Sequence, residues 1–187
     1  MSEILVNTIK KADGTGSLTV PAETGTVVTT ASDISGLTGM ATNSPYFFVR
    51  RSSNQSLSSN VQADVIFNSE ELDPDNVYNT STGIFTAPSA GIYFLCANVL
   101  LDSQGASRSW NGYVTVRDGS NSVIAATSFN YDGNYPRDTS HTVSTIVSAS
   151  SGGEYKITAL LETTSGSPQI SPGISSDGTY FIGFKLA

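Results

Sequence analysis

Charge is scarce in this sequence. Of its 187 residues, 13% are Asp, Glu, Lys or Arg, about half the share of an ordinary soluble domain. Ser, Thr, Gly and Asn fill the polar positions instead, a profile that suits a rigid β-protein better than a cytosolic enzyme. Bases are scarcest, with nine Lys and Arg against sixteen Asp and Glu. The only adjacent pairs are Lys10-Lys11 and Arg50-Arg51. A nucleic-acid partner requires basic residues gathered on one face to displace phosphate counterions, so none is expected. A single cysteine, Cys96, excludes an intrachain disulfide. With a single histidine, His141, it also excludes a zinc site. No apolar run approaches the roughly 20 residues of a membrane-spanning helix. The opening Met1–Asn7 lacks the basic region and apolar run of a secretory signal, which predicts synthesis in a cytoplasm. The sequons at Asn54 and Asn79 are then chance matches.

Sustained helical periodicity is missing as well. What is present is strand text cut by turns. Residues 1–42 form one region, in which Asp13-Gly14-Thr15-Gly16 reads as a turn and Ser17-Leu18-Thr19-Val20 alternates polar and apolar. After Pro21, Gly25 to Thr30 resumes with β-branched residues, which favour extended backbone. Ser32 to Gly39 reads as a linker. Such short strands cannot form a core alone, so they either pair with other chains or remain a disordered leader.

From residue 43 onward one domain is expected. Tyr46–Val49 is an aromatic strand, and Val65–Phe67 precedes an acidic loop from Asn68 to Asn76. Gly91 to Leu101 is apolar on both faces, as in a strand covered on both sides. Trp110–Val116 and Ser122–Ala126 flank a hairpin tip with Asp118-Gly119. Thr142–Ser148, Tyr155–Leu161 and Thr179–Leu186 complete the set. Many short strands at regular spacing predict an all-β sandwich or jelly roll.

Residues 77–95 read Val-Tyr-Asn-Thr-Ser-Thr-Gly-Ile-Phe-Thr-Ala-Pro-Ser-Ala-Gly-Ile-Tyr-Phe-Leu. This run resembles the signature of the globular head of complement component one-q, a relative of tumour necrosis factor. The resemblance rests on Tyr78, Thr82-Gly83, Phe85, Pro88, Gly91 and Tyr93, and on Phe181-Ile-Gly183-Phe184 as a last strand. It implies a jelly-roll head over 43–187 that packs as a homotrimer. Tyr78, Gly83, Phe85, Pro88, Gly91, Tyr93, Phe94, Phe181, Gly183 and Phe184 are its fold and trimer-core candidates. The apolar second face of the Gly91–Leu101 strand would then lie in the trimer; burial within one subunit is the alternative. No Gly-X-Y repeat of a collagen stalk occurs.

The opening region is similar to the openings of fibre and other virion proteins in phages of marine bacteria. That resemblance implies a virion structural protein: a trimeric fibre, tip or capsid decoration, made in the host cytoplasm and attached to capsid or tail proteins through residues 1–42. Val6, Ile9, Leu18, Val20, Val27 and Val28 are the attachment candidates. A free-standing lectin-like recognition domain is the alternative.

Residues with chemical potential are few. His141 stands at the start of a strand with no Gly-x-Ser-x-Gly nucleophile turn anywhere, so a surface or interface position is expected rather than a catalytic triad. Cys96 in an apolar strand reads as a buried inert thiol. Glu70, Glu71, Asp73 and Asp75 crowd one loop and suit a solvated face or a calcium site. Trp110, Tyr131 and Tyr135 are a candidate recognition surface for a host glycan, with core packing as the alternative. No enzyme activity and no cofactor are expected.

Overall fold

Side chains in a β-strand point alternately to the two faces of its sheet, so each strand here is read by which alternate set it buries. The computed structural model describes residues 44–104, 110–131, 138–164, 166–173 and 178–187. Val6, Ile9, Leu18, Val20, Val27, Val28 and Tyr135 lie outside these residues.

The described residues form thirteen strands and no helix. They are β1 (Tyr46–Arg50), β2 (Gln55–Ser56), β3 (Ala63–Asp64), β4 (Ser69–Leu72), β5 (Tyr78–Asn79), β6 (Ile84–Thr86) and β7 (Gly91–Asp102). Then follow β8 (Trp110–Asp118), β9 (Val123–Tyr131), β10 (Asp138–Ala149), β11 (Glu154–Thr163), β12 (Gln169–Ser171) and β13 (Tyr180–Lys185). One antiparallel sheet runs β10-β7-β13-β1-β4, with β12 and β2 continuing beside the far end of β7. The second runs β9-β8-β11-β6-β5, with β3 on β11 in line with β6. The result is a jelly-roll sandwich, all-β as expected.

The core lies between the sheets. On β7, Tyr93, Leu95, Ala97, Val99 and Leu101 are fully buried, and β11 answers with Ile157, Ala159 and Leu161. At one end a ring cluster fills the space. Phe47 stacks on Phe85 at 4.9 Å and meets Phe181 edge-on at 4.9 Å; Phe67 and Tyr78 close the group at 5.6 and 6.0 Å from Phe181. Gly183 makes this cluster possible. It faces inward on β13, and a Cβ there would collide with the Phe47 ring and stand 2.8 Å from a Leu95 methyl. Gly83 answers a backbone need instead: its φ of +76° ends the turn before β6, and a Cβ would sit 2.9 Å from the Val65 carbonyl oxygen.

Several expectations change. Val65 and Phe67 are fully buried but lie just beyond β3, where the Val65 N–H bonds the Ile157 carbonyl at 2.9 Å. The acidic stretch is not all loop, because Ser69–Leu72 pairs along β1 as β4. As an edge strand it tolerates Glu70 and Glu71 in solvent. The β8–β9 hairpin turns through Gly119–Ser122, with Asn121 at φ 67° and the Ser122 N–H bonded to the Asp118 carboxylate at 2.8 Å. Asp118 therefore ends β8 and Gly119 opens the turn, so Asp-Gly stands at the start of the turn and not at its tip. His141, expected at a surface or interface, is 7% exposed. It falls on the inward alternate set of β10, opposite Val99.

Candidate functional site

The two sheets present very different outward faces. On the second sheet, polar side chains answer one another within the chain. Gln62 accepts from Arg117 Nη2 at 2.7 Å and from the Tyr113 hydroxyl at 3.2 Å. Arg117 Nε donates to Thr158 Oγ1 at 3.2 Å, and the Thr158 and Thr115 hydroxyls are 2.7 Å apart. Lys156 pairs with Asp64 at 3.0 Å, and Asn111 donates to Glu162 at 3.1 Å.

The first sheet turns apolar rows outward. Across β10, β7, β13 and β1 the register aligns Ile146, Phe94, Phe184 and Tyr46. The next row aligns Ser144, Cys96, Ile182, Phe48 and Leu72. Ile146 is 62% exposed, Leu72 53% and Tyr46 42%. The Phe94 and Phe184 rings meet at 5.3 Å, and the Arg50 guanidinium lies 4.9 Å over Phe48. A contiguous apolar patch of this kind marks an interaction surface on a water-exposed protein. One row further along, the face turns polar: Asn98 accepts from Ser140 at 2.8 Å and Thr142 at 3.0 Å, while its amide donates to the Gly178 carbonyl.

The candidate residues divide by strand alternation. Tyr78, Phe85, Tyr93 and Phe181 point into the core, whereas Phe94 and Phe184 lie on the outward face. Gly91 opens β7 beside the chain's last residue: the Ile92 N–H bonds the Ala187 carbonyl at 2.8 Å. Pro88 lies on the wall of an open groove of about 560 Å³ that Glu70, Asp75, Asn79 and Thr80 also line. Tyr131 stacks on Phe129 at 5.6 Å against the core, and the Trp110 backbone pairs with it across β8 and β9. Sequence reading missed Phe48, Ile182, Leu72 and Ile146. The signal was available as simple alternation once Phe47, Phe181 and Val147 are placed inside.

The titratable groups serve structure. Cys96, expected to be buried, is half-buried on the outward row, and desolvation there pushes its thiol up, away from the reactive thiolate. Burial also raises the Tyr78 phenol, whose oxygen accepts the Phe67 N–H at 3.3 Å; the nearby Arg51 guanidinium acts the other way. Asp73, 6% exposed, accepts the Val77 and Tyr78 N–H groups at 2.9 and 2.8 Å, one on each carboxylate oxygen. Both oxygens are thus committed to the β4–β5 crossing. Among the described residues no three of His, Cys, Asp or Glu gather as a metal site. Asp73→Ala should lower stability by about 1–3 kcal/mol, because two buried N–H groups lose their acceptor. Asp73→Asn, which keeps one acceptor oxygen, should cost less. The urea midpoint reads both changes, and an Asp73→Ala protein as stable as wild type refutes the role.

The fold and its faces define a two-sheet jelly roll with two apolar rows on the outward face of one sheet and a bonded polar network on that of the other. The model of the C1q domain matches residues 46–156, more than half of the chain, and the chain belongs to that family. Among solved structures it is similar to the globular domain of zebrafish complement 1qA protein, at 19% identity and a TM-score of 0.49. That match covers 76% of this chain and 97% of the other. It is also similar to murine APRIL, at 13% identity and a TM-score of 0.53, over 75% of this chain and 98% of the other. The APRIL likeness shows the shared fold. No curated protein matches. Domains of this family form homotrimers and are typically recognition or signalling modules without catalysis. No helix among the described residues is long and apolar enough to cross a membrane.

Proposed function

We propose that the chain is a non-enzymatic virion head: a homotrimeric fibre tip or capsid decoration protein, made in the host cytoplasm. Copies associate through the outward face of the β10-β7-β13-β1-β4 sheet, and residues 1–42 attach the trimer to capsid or tail proteins. A host surface glycan is its further partner. The observation that carries the trimer is the pair of aligned rows from Ile146 to Tyr46 and from Cys96 to Leu72, which leave large apolar side chains in water on a lone copy. The family habit of trimeric assembly supports the same reading. Attachment through the leader rests on its β-branched, weakly charged text and its likeness to virion protein openings.

Sedimentation of the full chain should give three times 19.6 kDa. A monomer at micromolar concentration overturns the trimer. Deletion of residues 2–42 should leave a soluble trimer that no longer joins particles; retained incorporation overturns the attachment role. Glycan-array binding by a trimer that never enters particles would favour the free-standing recognition domain.

A further inference from the structure

β9 and β10 are the last strands of different sheets, and no backbone ladder joins them among the described residues. Among the described residues, side chains close the sandwich along this seam. At its centre the His141 ring lies on Phe129 of β9, with centroids 3.9 Å apart and planes 17° from parallel. Tyr131 follows at 6.5 Å, and Thr139 Oγ1 stands 2.7 Å from His141 Nε2. We propose that His141 is an acid-sensitive clasp, whose protonation releases β10 from β9. Because β10 carries Ile146 on the outward apolar face, release would also loosen association between copies; this second part rests on the trimer reading.

Two effects compete on the ring. A charged imidazolium over Phe129 gains a cation–π attraction of roughly 0.5–2 kcal/mol. Against it, charging a ring buried between sheets forfeits hydration. Burial dominates and pushes the His141 pKa from 6.5 down to about 4. Among the described residues, the ionisable groups nearest the ring in register are the Tyr131 phenol on β9, Asp102 on β7 and Asp138 on β10. Asp102 accepts from Gln104 and Gln169, and Asp138 lies opposite it, three residues along the strand from His141. On β8, Gly112 and Val114, the ladder partners of Phe129 and Thr127, carry no charge, and Val99 stands directly opposite His141.

The sign follows from proton counts. Between pH 6.5 and about 4 the opened ring binds a proton that the closed ring does not. The closed seam therefore keeps its full advantage above pH 6.5 and loses it progressively as pH falls to 4. For an open state that hydrates the ring fully, opening at pH 4.5 is favoured roughly 50-fold over pH 7.

The full chain permits a direct test, since its one histidine gives one set of imidazole signals. The NMR titration of that ring should have its midpoint near 4, and a midpoint at 6 or above overturns the clasp. Amide exchange, corrected for its intrinsic pH dependence, should accelerate roughly tenfold or more across Thr127–Tyr131 and Thr139–Val143 at pH 4.5. The β1–β13 pair should stay protected. Acceleration shared equally by all strands overturns the proposal. His141→Phe keeps a flat ring and cannot be protonated, so its seam exchange should not respond to acid; an unchanged acid response also overturns it. If that variant does not fold, the wild-type titration and exchange pattern decide. Sedimentation across the same pH series isolates the second part. A trimer that persists while the seam opens removes the link to association, whereas no trimer at pH 7 refutes the trimer reading and leaves the clasp standing.

Discussion

Phe94→Asp should convert the proposed trimer to folded monomers, weakening association at least 100-fold. Phe94 sits in the middle of the row from Ile146 to Tyr46 and touches Phe184 at 5.3 Å. In a lone copy its side chain is half-buried on an outward face, so a carboxylate there keeps access to water and the sandwich is spared. In the assembled form each copy would bury an unpaired charge, at a cost of about 3–5 kcal/mol per site. Sedimentation and thermal unfolding of the same sample read the two effects apart. A variant that remains trimeric places the contact elsewhere. A variant that fails to fold assigns Phe94 to the core of the subunit.

The opposite pattern is expected three residues from Phe184. Phe181→Ala should destabilise each subunit by about 3–5 kcal/mol, whatever the assembly state. Phe181 is fully buried and its ring meets Phe47, Phe67 and Tyr78, so truncation leaves a cavity that three rings must line. That loss is a large share of the 5–15 kcal/mol typical of a domain. Phe184→Ala, on the other face of the same strand, should leave monomer stability within about 1 kcal/mol of wild type and act mainly on association. Denaturant titration on the Phe94→Asp background makes the comparison without interference from the proposed self-association. Equal losses from Phe181→Ala and Phe184→Ala would contradict the division of β13 into a core side and an association side.

Much of this architecture is legible in the amino-acid order because strand punctuation is local chemistry. Thr82-Gly83 marks a turn that needs positive φ, and Tyr46-Phe-Phe-Val49 and Phe181-Ile-Gly-Phe184 announce strands by composition alone. The short pieces β2, β3, β4 and β12 are not legible, since two to four residues such as Gln55-Ser56 or Ser69–Leu72 become strands only because a partner edge is waiting. The candidate face divides in the same way. Phe94 and Phe184 stand out as aromatics, but alternation separates them from Tyr93 and Phe181 only once one residue of each strand is placed inside. His141 was misplaced for the same reason. A lone histidine among Ser and Thr looks exposed until alternation along β10 sets it opposite Val99.

The placement of β13 between β1 and β7 has a further consequence, for the time at which the domain is made. β1, with its run Tyr46-Phe47-Phe48-Val49, gains β4 along one flank soon after it leaves the ribosome. Its other flank waits for Tyr180–Phe184, about 130 residues later in the chain. At about 5–20 residues per second that interval is on the order of ten seconds, far longer than a hairpin needs to form. Throughout it, Phe47 has no Phe181 to close the ring cluster, and the apolar strand β7 has an unpaired flank. Synthesis itself thus leaves two apolar strand flanks and the ring cluster open until β13 is released.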